Sequence, residues 1–330
     1  MSHFARVLGI ILCVAAAGCS KGQPAVSALL INPHNPQIIY AGSSAHVSKS
    51  RDGGETWELS DEGMSSARVM SLGIDPPPGS QVYAGTFGDA IWKSWDGGHH
   101  WQPDNRGLKE HVSLVTAIAF DPETPTTMYI GTTVGPYKRT DPDDFWLERV
   151  AGMLSVYVVT LVADPMHPGT LYAGTSGGMY KSVDRAEHWV EINEGLGIDP
   201  THGALSHGVN IVALKPDDTA TLYIGTTRGL FVSANGGQHW EQIRSIPAGP
   251  IAAIVFDPKQ PATIYAGGTG VFKSADGGKT WTSVSNGLTK TVRALAIDPQ
   301  QSAVIYAGTN GGVFKTTDGG GQWTLKPLPG

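Results

Sequence analysis

The stretch KSADGGKTWTSV, residues 273–284, places an Asp, two glycines and a Trp within six positions. Asp276 and Trp281 are five residues apart, and this spacing recurs along the chain of 330 residues. The seven pairs are Asp52–Trp57, Asp96–Trp101, Asp141–Trp146, Asp184–Trp189, Asn235–Trp240, Asp276–Trp281 and Asp318–Trp323. Successive tryptophans are separated by 44, 45, 43, 51, 41 and 42 residues. A period of this length indicates a repeat architecture.

Two further marks precede each pair. A Tyr followed by Ala-Gly or Ile-Gly stands at Tyr40, Tyr83, Tyr129, Tyr172, Tyr223, Tyr265 and Tyr306. An apolar run ending near a Pro comes before each Tyr, as in AIVFDP and ALAIDP. The sixth repeat therefore contains four short extended segments, IAAIVFD, TIYAGG, GVFKSA and WTSVS. They are β-rich and too short for helices, and Pro, Gly and Asp separate them.

Four strands in about 43 residues are typical of a propeller blade. The sequence predicts an all-β fold, a seven-bladed β-propeller of four-stranded antiparallel blades over residues 28–330. Because blades pack face to face, we expect the apolar runs to be covered on both sides.

The repeated Asp is interpreted as a turn residue between the third and fourth strands of each blade. Its carboxylate can accept backbone N–H groups, and glycine supplies positive φ. The Trp then begins the outer strand and covers the hairpin with a large apolar surface. A ligand loop would be special to one blade, whereas this loop occurs in all seven. Blades three and four replace the glycines, in DPDDFW (141–146) and DRAEHW (184–189), and we expect different turns there.

These motifs resemble the Asp-box, or BNR, repeat, and the resemblance covers essentially the whole mature chain. Asp boxes occur in sialidases, and xyloglucanase-like enzymes use two such propellers with catalytic Asp residues in the cleft between them. The architecture also resembles the seven-bladed photosystem II assembly-factor-like propellers. The first likeness implies a glycan hydrolase, and the second implies protein partners in assembly.

The first residues, MSHFARVLGIILCVAAAGCS, are predicted to lie outside the fold. Arg6 precedes an apolar run over 7–17 that is too short to span a bilayer. The segment resembles a bacterial lipoprotein signal, with the lipobox ending at Cys19, although Ala16 stands where Leu is usual. The alternative is an ordinary signal peptide with a chance Cys.

The lipoprotein resemblance implies cleavage of residues 1–18, acylation of the Cys19 thiol and a tether over 19–27. Ser20 follows the Cys, where the family associates Asp with inner-membrane retention. We therefore expect a lipid-anchored protein at the outer membrane, facing the periplasm. The other cysteine, Cys13, lies in the removed segment, so no intrachain disulfide is possible and packing alone must hold the fold.

The charge balance excludes one class of partner. The chain has 23 basic and 29 acidic residues and no Lys/Arg cluster. It therefore lacks the electrostatic footprint of a nucleic-acid binder.

Loop variation indicates where a binding site lies. With strands A to D counted from the centre outward, A–B and C–D loops share one face, and B–C loops and D–A connections share the other. The second face varies most, so it can carry function. Its longest connection is 195–210, near which we expect the partner-binding surface to be centred. The candidate residues on this face are Arg68, Asp89, His111, Tyr157, His202, His207 and Arg228.

Asp199, His202 and His207 in that connection are possible metal ligands. However, a five-residue His spacing in a Gly-rich loop matches no strong zinc pattern. A plain exposed loop is favoured, and we expect no metal, no cofactor and no catalytic residue.

Two functions from different classes remain open. A sialidase-like site needs three arginines, a Tyr–Glu pair and an acid Asp. Here the Arg-Ile-Pro motif is absent, and RSIPAG (244–249) resembles it only distantly. The sialidase ring also has six blades, whereas seven repeats are present here. A non-catalytic binding or assembly scaffold with a protein partner is favoured, and a glycan-binding protein or glycoside hydrolase of sialidase or xyloglucanase-like type is the alternative.

Overall fold

The computed structural model describes residues 22–65, 68–76, 81–142, 144–197 and 208–329. These residues form 28 β-strands and no helix, and the strands make seven separate antiparallel sheets of four. Each innermost strand packs beside those of its two neighbouring sheets, and the first and last sheets also meet. The fold is therefore a seven-bladed β-propeller, and the prediction is confirmed. No helix in the described ranges has the length and apolar composition needed to cross a membrane.

Each blade is a meander in which consecutive strands A to D run from the centre to the rim. Blade one contains β1 (Val26–Ile31), β2 (Ile39–Ser43), β3 (Val47–Ser50) and β4 (Glu58–Leu59). Blade two contains β5 (Val69–Ile74), β6 (Val82–Thr86), β7 (Ile91–Ser94) and β8 (Gln102–Pro103). Blade three contains β9 (Val115–Phe120), β10 (Met128–Thr132), β11 (Gly135–Arg139) and β12 (Leu147–Glu148). Strand β1 begins two residues before the predicted start at residue 28.

The remaining four blades follow the same plan. Blade four contains β13 (Val158–Ala163), β14 (Leu171–Thr175), β15 (Gly178–Ser182) and β16 (Val190–Glu191). Blade five contains β17 (Val209–Lys215), β18 (Asp218–Thr226), β19 (Leu230–Ser233) and β20 (Glu241–Ile243). Blade six contains β21 (Ala253–Phe256), β22 (Ile264–Gly267), β23 (Val271–Ser274) and β24 (Thr282–Ser283). Blade seven contains β25 (Val292–Ile297), β26 (Ile305–Thr309), β27 (Gly312–Thr316) and β28 (Thr324–Lys326).

The expectation that the apolar runs of strands A are covered on both sides is wrong. In β5 and β9, buried and half-buried residues alternate. The reason is that strands A surround a central channel, which their residues line. The strands B β6 and β10 are instead buried at every position, as are the strands C β7 and β11.

The repeated hairpin between strands C and D is clearest in blade one. The Asp52 carboxylate accepts the amides of Glu55 and Thr56 at 3.0 and 2.9 Å and the Thr56 hydroxyl at 2.6 Å. The bonds from Thr56 contribute most to lowering the pKa of Asp52 to about 2. Ser50 donates to Asp52 at 2.8 Å and accepts the Gly54 amide at 2.7 Å. The turn is thus held by two side chains, the predicted Asp and the Ser two residues before it.

Blade four was expected to use a different turn because Arg185 and Ala186 replace the two glycines. This expectation is wrong. Arg185 and Ala186 adopt φ angles of 61° and 67°, close to the 70° and 79° of Gly53 and Gly54 in blade one. Asp184 still accepts a backbone amide at 2.9 Å. The hydrogen bonds therefore impose the same turn, although left-handed φ costs a non-glycine residue about 1–2 kcal/mol.

Blade three does have a different turn. Arg139 stands where blade one has Ser50, and Asp144 donates its amide to the Asp141 carbonyl at 3.0 Å. The Thr140 hydroxyl donates to the Asp144 carboxylate at 2.8 Å. The described residues of this hairpin all have negative φ.

The hairpins also join neighbouring blades, at seams that we name by their two blades. In seam one–two, Tyr40 and Lys49 both donate to the Gly97 carbonyl, at 2.8 and 2.5 Å. Burial raises the pKa of Tyr40 to about 12. In return, the Trp101 indole of blade two donates to the Ser60 carbonyl of blade one at 2.7 Å.

The same Tyr-to-Gly bond recurs in three more seams. The pairs are Tyr223–Gly277 at 2.9 Å, Tyr265–Gly319 at 3.2 Å and Tyr306–Gly53 at 2.7 Å. We call one–two, five–six, six–seven and seven–one the regular seams.

Seams two–three and three–four are different, and we call them the altered seams. In two–three, Tyr83 bonds to Gln81 of its own blade at 3.0 Å. The buried Arg139 of blade three instead reaches both carboxylate oxygens of Asp104 in blade two, at 2.7 Å each, with its guanidinium 4.5 Å from the Trp146 ring centroid.

In seam three–four, Tyr129 donates to Asp121 of its own blade at 3.2 Å. Arg185 of blade four bonds to the same carboxylate at 3.2 Å. Lys138 and Glu187 form a further ion pair across the seam at 2.9 Å. In both altered seams charged pairs thus replace the Tyr bond to a main-chain carbonyl, while the Trp indole bond to a carbonyl of the preceding blade is kept.

The ring closes at seam seven–one without exchanging a strand, since each of its two blades consists of four consecutive strands. Tyr306 and Lys315 both donate to the Gly53 carbonyl at 2.7 Å. Lys315 and Lys326 also pair with Glu55 of blade one. Closure therefore rests on the regular seam contacts with additional ion pairs.

Candidate binding face

The face that carries the B–C loops and D–A connections is named here the connection face. The central channel, with a cavity of about 660 Å³, is lined on this side by Tyr157, Asn210, Thr227 and Arg293. Three of these residues stand at the start of a strand A, and Thr227 lies in the B–C loop of blade five. Within the described ranges, no carboxylate lines the cavity.

Most polar groups at this mouth form hydrogen bonds between neighbouring strands A. The Asn210 amide donates to the Ile251 carbonyl at 3.0 Å, and the Thr116 hydroxyl donates to the Val158 carbonyl at 2.7 Å. Arg293 is exposed and bonds through Nε to the side chain of Asn310. Of the described residues that line the cavity, Arg293 alone carries a formal charge.

The connection between blades three and four presents an exposed apolar side chain on an ordered backbone. Leu154 is 90% exposed. Its amide and that of Ser155 donate to the hydroxyl of the buried Tyr180 at 3.3 and 3.1 Å. Tyr157, 42% exposed, accepts the Ser176 amide at its carbonyl at 3.1 Å. The loop is thus fixed to blade four while Leu154 faces solvent.

A second sector of the connection face surrounds the B–C loop of blade two. The Arg68 guanidinium lies 5.2 Å from the ring centroid of Phe87, which is 52% exposed. Asp89 accepts the Ser65 hydroxyl at 3.0 Å. His111 is exposed in the connection that follows this blade.

The structure therefore places the predicted binding residues in two different sectors of the connection face. Arg68 and Asp89 lie together, Tyr157 lies at the channel mouth, and Arg228 follows the mouth residue Thr227 in blade five. His202, His207 and Cys19 lie outside the described residues, as does most of the 195–210 connection.

Sequence reasoning missed Leu154, Phe87 and Arg293. It looked for polar departures in loops, whereas Leu154 and Phe87 are apolar side chains in positions where a loop is normally polar. The run MLSVYV, residues 153–158, was the available signal. Arg293 was missed because it lies within a strand, β25, and reaches the channel only in the folded ring.

No protein-family model matches the chain, and no curated protein matches it in sequence. Solved structures do share its fold. A GH74 xyloglucanase from Xanthomonas campestris matches with a TM-score of 0.78 and 16% identity, over 93% of this chain and 55% of that chain. YCF48 from Cyanidioschyzon merolae matches with a TM-score of 0.66 and 18% identity, over 90% of this chain and 96% of that chain.

A third match is a structure of YCF48 bound to D1 peptide, with a TM-score of 0.66 and 16% identity, over 90% of this chain and 94% of that chain. The present chain spans about half the length of the GH74 xyloglucanase but nearly all of the YCF48 length. At these identities the likeness establishes the propeller fold, which by itself does not determine function.

Proposed function

We propose that this protein is a membrane-anchored, extracytoplasmic scaffold that binds a protein partner through the connection face and performs no catalysis. The observation that carries the proposal is Leu154, which is 90% exposed on a backbone fixed by the Tyr180 hydroxyl. Val156 and Tyr157 add two more partly exposed apolar side chains to the same loop.

The physical argument concerns the cost of binding. Burying a leucine side chain contributes about 1.5–3 kcal/mol. A loop that is already ordered loses little conformational entropy when a partner covers it. An aromatic residue beside such an anchor is typical of interface hot spots, and Tyr157 occupies this position.

A protein partner is supported by the likeness to YCF48 and by the lining of the channel. A propeller of similar length, YCF48, has been solved with a peptide bound. A glycosidase of the usual kind needs two carboxylates about 5–10 Å apart. In the described part of the chain, the channel cavity is lined by none.

Membrane attachment is the second part of the proposal, and it rests on the sequence AAGC at residues 16–19. Cys19 carries the lipid, and Ser20 directs the protein to the outer membrane. Labelling with a fatty acid and fractionating the membranes test this: Cys19→Ala abolishes the label if the proposal is right. Unchanged labelling of that variant contradicts it.

The binding surface is tested by crosslinking in intact cells. Leu154→Asp removes the apolar anchor and should abolish the crosslinked partner. Leu147→Asp is the matched control, because Leu147 is 52% exposed on the outer strand β12 of blade three, just before the connection that carries Leu154. Both variants should retain the wild-type unfolding temperature. Equal crosslinking in the two variants rules out the connection face at Leu154 as the partner site.

Glycan binding is the second candidate, favoured by the fold shared with the GH74 xyloglucanase and by Tyr157 at the channel mouth. An exposed aromatic ring there offers a stacking surface for a sugar. Calorimetry with xyloglucan oligosaccharides on wild type and Tyr157→Ala distinguishes this candidate. Binding that Tyr157→Ala abolishes, with no crosslinked protein partner, favours it over the scaffold.

A further inference from the structure

Three side chains with metal-binding atoms meet on the rim at seam one–two. His99 and His100 are the last two residues of the blade-two hairpin before Trp101, and Glu62 lies in the connection that leaves blade one. The backbone fixes their approach, since the Trp101 amide donates to the Glu62 carbonyl at 2.9 Å and Glu62 pairs with His100 in an isolated parallel bridge.

The distances suit one cation. Glu62 Oε2 lies 3.8 Å from His99 Nδ1, and Glu62 Oε1 lies 3.7 Å from His100 Nε2. One ligand atom from each residue lies within 4.8 Å of the others. Metal–ligand bonds of 2.0–2.2 Å place neighbouring ligand atoms about 3.0–3.5 Å apart. A shift of a few tenths of an ångström brings both Glu62 distances into this range. The histidine ligand atoms, which lie within 4.8 Å of each other, need a shift of up to about 1.3 Å, which their exposed side chains allow.

Asp96 already orients one of the ligands. Its Oδ2 lies 2.6 Å from His100 Nδ1, while its Oδ1 accepts the amides of His99 and His100 at 2.9 Å each. Donation from Nδ1 leaves the Nε2 lone pair of His100 free on the side of Glu62. A carboxylate–histidine–metal arrangement of this kind fixes the ring tautomer and strengthens the ligand.

The other blades provide a comparison within the same chain. His239 occupies the position of His100 in blade five, with Nδ1 3.5 Å from Glu194, the counterpart of Glu62. Gln238 stands there in place of His99. Blade five thus has two of the three ligands, and in the described part of the chain the complete group of three occurs at Glu62, His99 and His100.

We propose that Glu62, His99 and His100 bind a divalent transition metal such as Zn²⁺, with Asp96 as a positioning residue. Two imidazoles and one carboxylate suit Zn²⁺, Ni²⁺ or Cu²⁺ and disfavour the oxygen-preferring Mg²⁺ and Ca²⁺. Three protein ligands leave a coordination position for water or for a group from another molecule. Glu62 and His99 also line a groove of about 380 Å³, which gives such a group room. This site departs from the expectation of no metal drawn from the sequence.

The test is isothermal titration of the full chain with ZnCl₂. Wild type should bind Zn²⁺, and MgCl₂ and CaCl₂ should give no heat of binding. His99→Gln, which copies blade five, and Glu62→Gln should each weaken the affinity by more than about tenfold. Asp96→Asn, which copies Asn235 of blade five and keeps one acceptor oxygen, should weaken it by about tenfold.

Two controls keep the result specific. His239→Gln removes the blade-five histidine and should leave the affinity unchanged. The pair His202→Gln with His207→Gln removes the other histidines considered as ligands and should also leave it unchanged. Without metal, His99→Gln should keep the wild-type unfolding temperature, since His99 is largely exposed. Failure of wild type to bind Zn²⁺, or full affinity in a folded His99→Gln, overturns the proposal.

Discussion

The regular and altered seams solve the same packing problem with different chemistry. In seam one–two, the Tyr40 hydroxyl and the Lys49 ammonium both donate to a main-chain carbonyl of the next hairpin. In seam two–three, an ion pair between Arg139 and Asp104 takes over. Every residue has a main-chain carbonyl, so the acceptor in a regular seam depends on the conformation of the turn and not on a particular side chain. The altered seam depends on two particular side chains.

The second glycine of the hairpin explains part of this difference. A Cβ atom added at Gly98 would lie 2.9 Å from Tyr40 Cε1, so only glycine lets the Tyr of the preceding blade approach. Blade four has Ala186 at this position, and Tyr129 of the preceding blade bonds to Asp121 of its own blade instead. In seam three–four, the methyl group of Ala186 therefore occurs together with a Tyr129 hydroxyl that bonds within its own blade.

The largest effect is expected from Arg139→Ala. Arg139 is 1% exposed, and its loss leaves the Asp104 carboxylate, 13% exposed, without its partner. Removing one member of a buried pair costs about 3–5 kcal/mol of unfolding free energy. Arg51→Ala breaks the exposed pair with Glu58 and should cost about 0–1 kcal/mol. Denaturant unfolding measures both, and similar small losses would mean that charge does not hold the altered seam.

Exchanging Gly and Ala at the second hairpin position should cost stability in a regular seam and change it little in an altered seam. Gly98→Ala places a Cβ against Tyr40 at a φ of 91° and should cost about 1–3 kcal/mol. Ala186→Gly relieves a φ of 67° and should change stability by less than about 1 kcal/mol. Chemical denaturation of the two variants gives the comparison. A Gly98→Ala protein as stable as wild type would contradict the close-approach argument.

Removing a single tyrosine hydroxyl should distinguish neutral from charged acceptors. Tyr306→Phe loses the bond to the Gly53 carbonyl and should cost about 0.5–1.5 kcal/mol. Tyr129→Phe loses the bond to the Asp121 carboxylate and should cost about 1.5–3 kcal/mol, because hydrogen bonds to charged groups are stronger. The difference between their unfolding free energies is the measured quantity, and a reversed order would refute it.

The smallest effect on stability is expected when acid protonates the carboxylates of the hairpins. Bonds from Thr56 lower the pKa of Asp52 from 3.8 to about 2. A depressed carboxyl pKa stabilises the fold above the unfolded value and loses that stabilisation as pH falls, here between about pH 4 and pH 2. Asp52→Asn should therefore flatten the decline of the unfolding temperature in this window. At pH 7 Asp52→Asn should lower the unfolding temperature, because an Asn accepts the equivalent amide, as Asn235 does in blade five at 3.0 Å, but lacks the charge. Equal unfolding temperatures of the two proteins at pH 7 would contradict the prediction.

The sequence was sufficient for the fold because the repeat is local: each Asp–Trp pair and each Tyr reports on its own blade. It also contained the Ser that supports the turn, two positions before most of the repeated Asp residues, although that signal was overlooked. The turn of blade four was mispredicted because Arg185 and Ala186 read as breaking the motif, whereas Ser182 and Asp184 impose it through hydrogen bonds.

The candidate sites were less predictable because they are made between blades. Glu62 and His99 are 37 residues apart in sequence and meet only across seam one–two. Leu154 has no motif, and its significance depends on the Tyr180 hydroxyl beneath its loop. The signal peptide and the lipid on Cys19 stay predictions.

Closing the ring at seam seven–one has an entropic consequence. The Tyr306–Gly53 bond joins residues 253 positions apart, whereas the equivalent Tyr223–Gly277 bond joins residues 54 apart. Loop-closure entropy grows with the logarithm of the separation, so the longer closure costs only about 1.4 kcal/mol more. Without a shared strand, this difference must be offset by side chains. Seam seven–one has the extra ones, since Lys315 and Lys326 converge on Glu55 and the Gln23 side chain accepts the Leu328 amide at 2.7 Å.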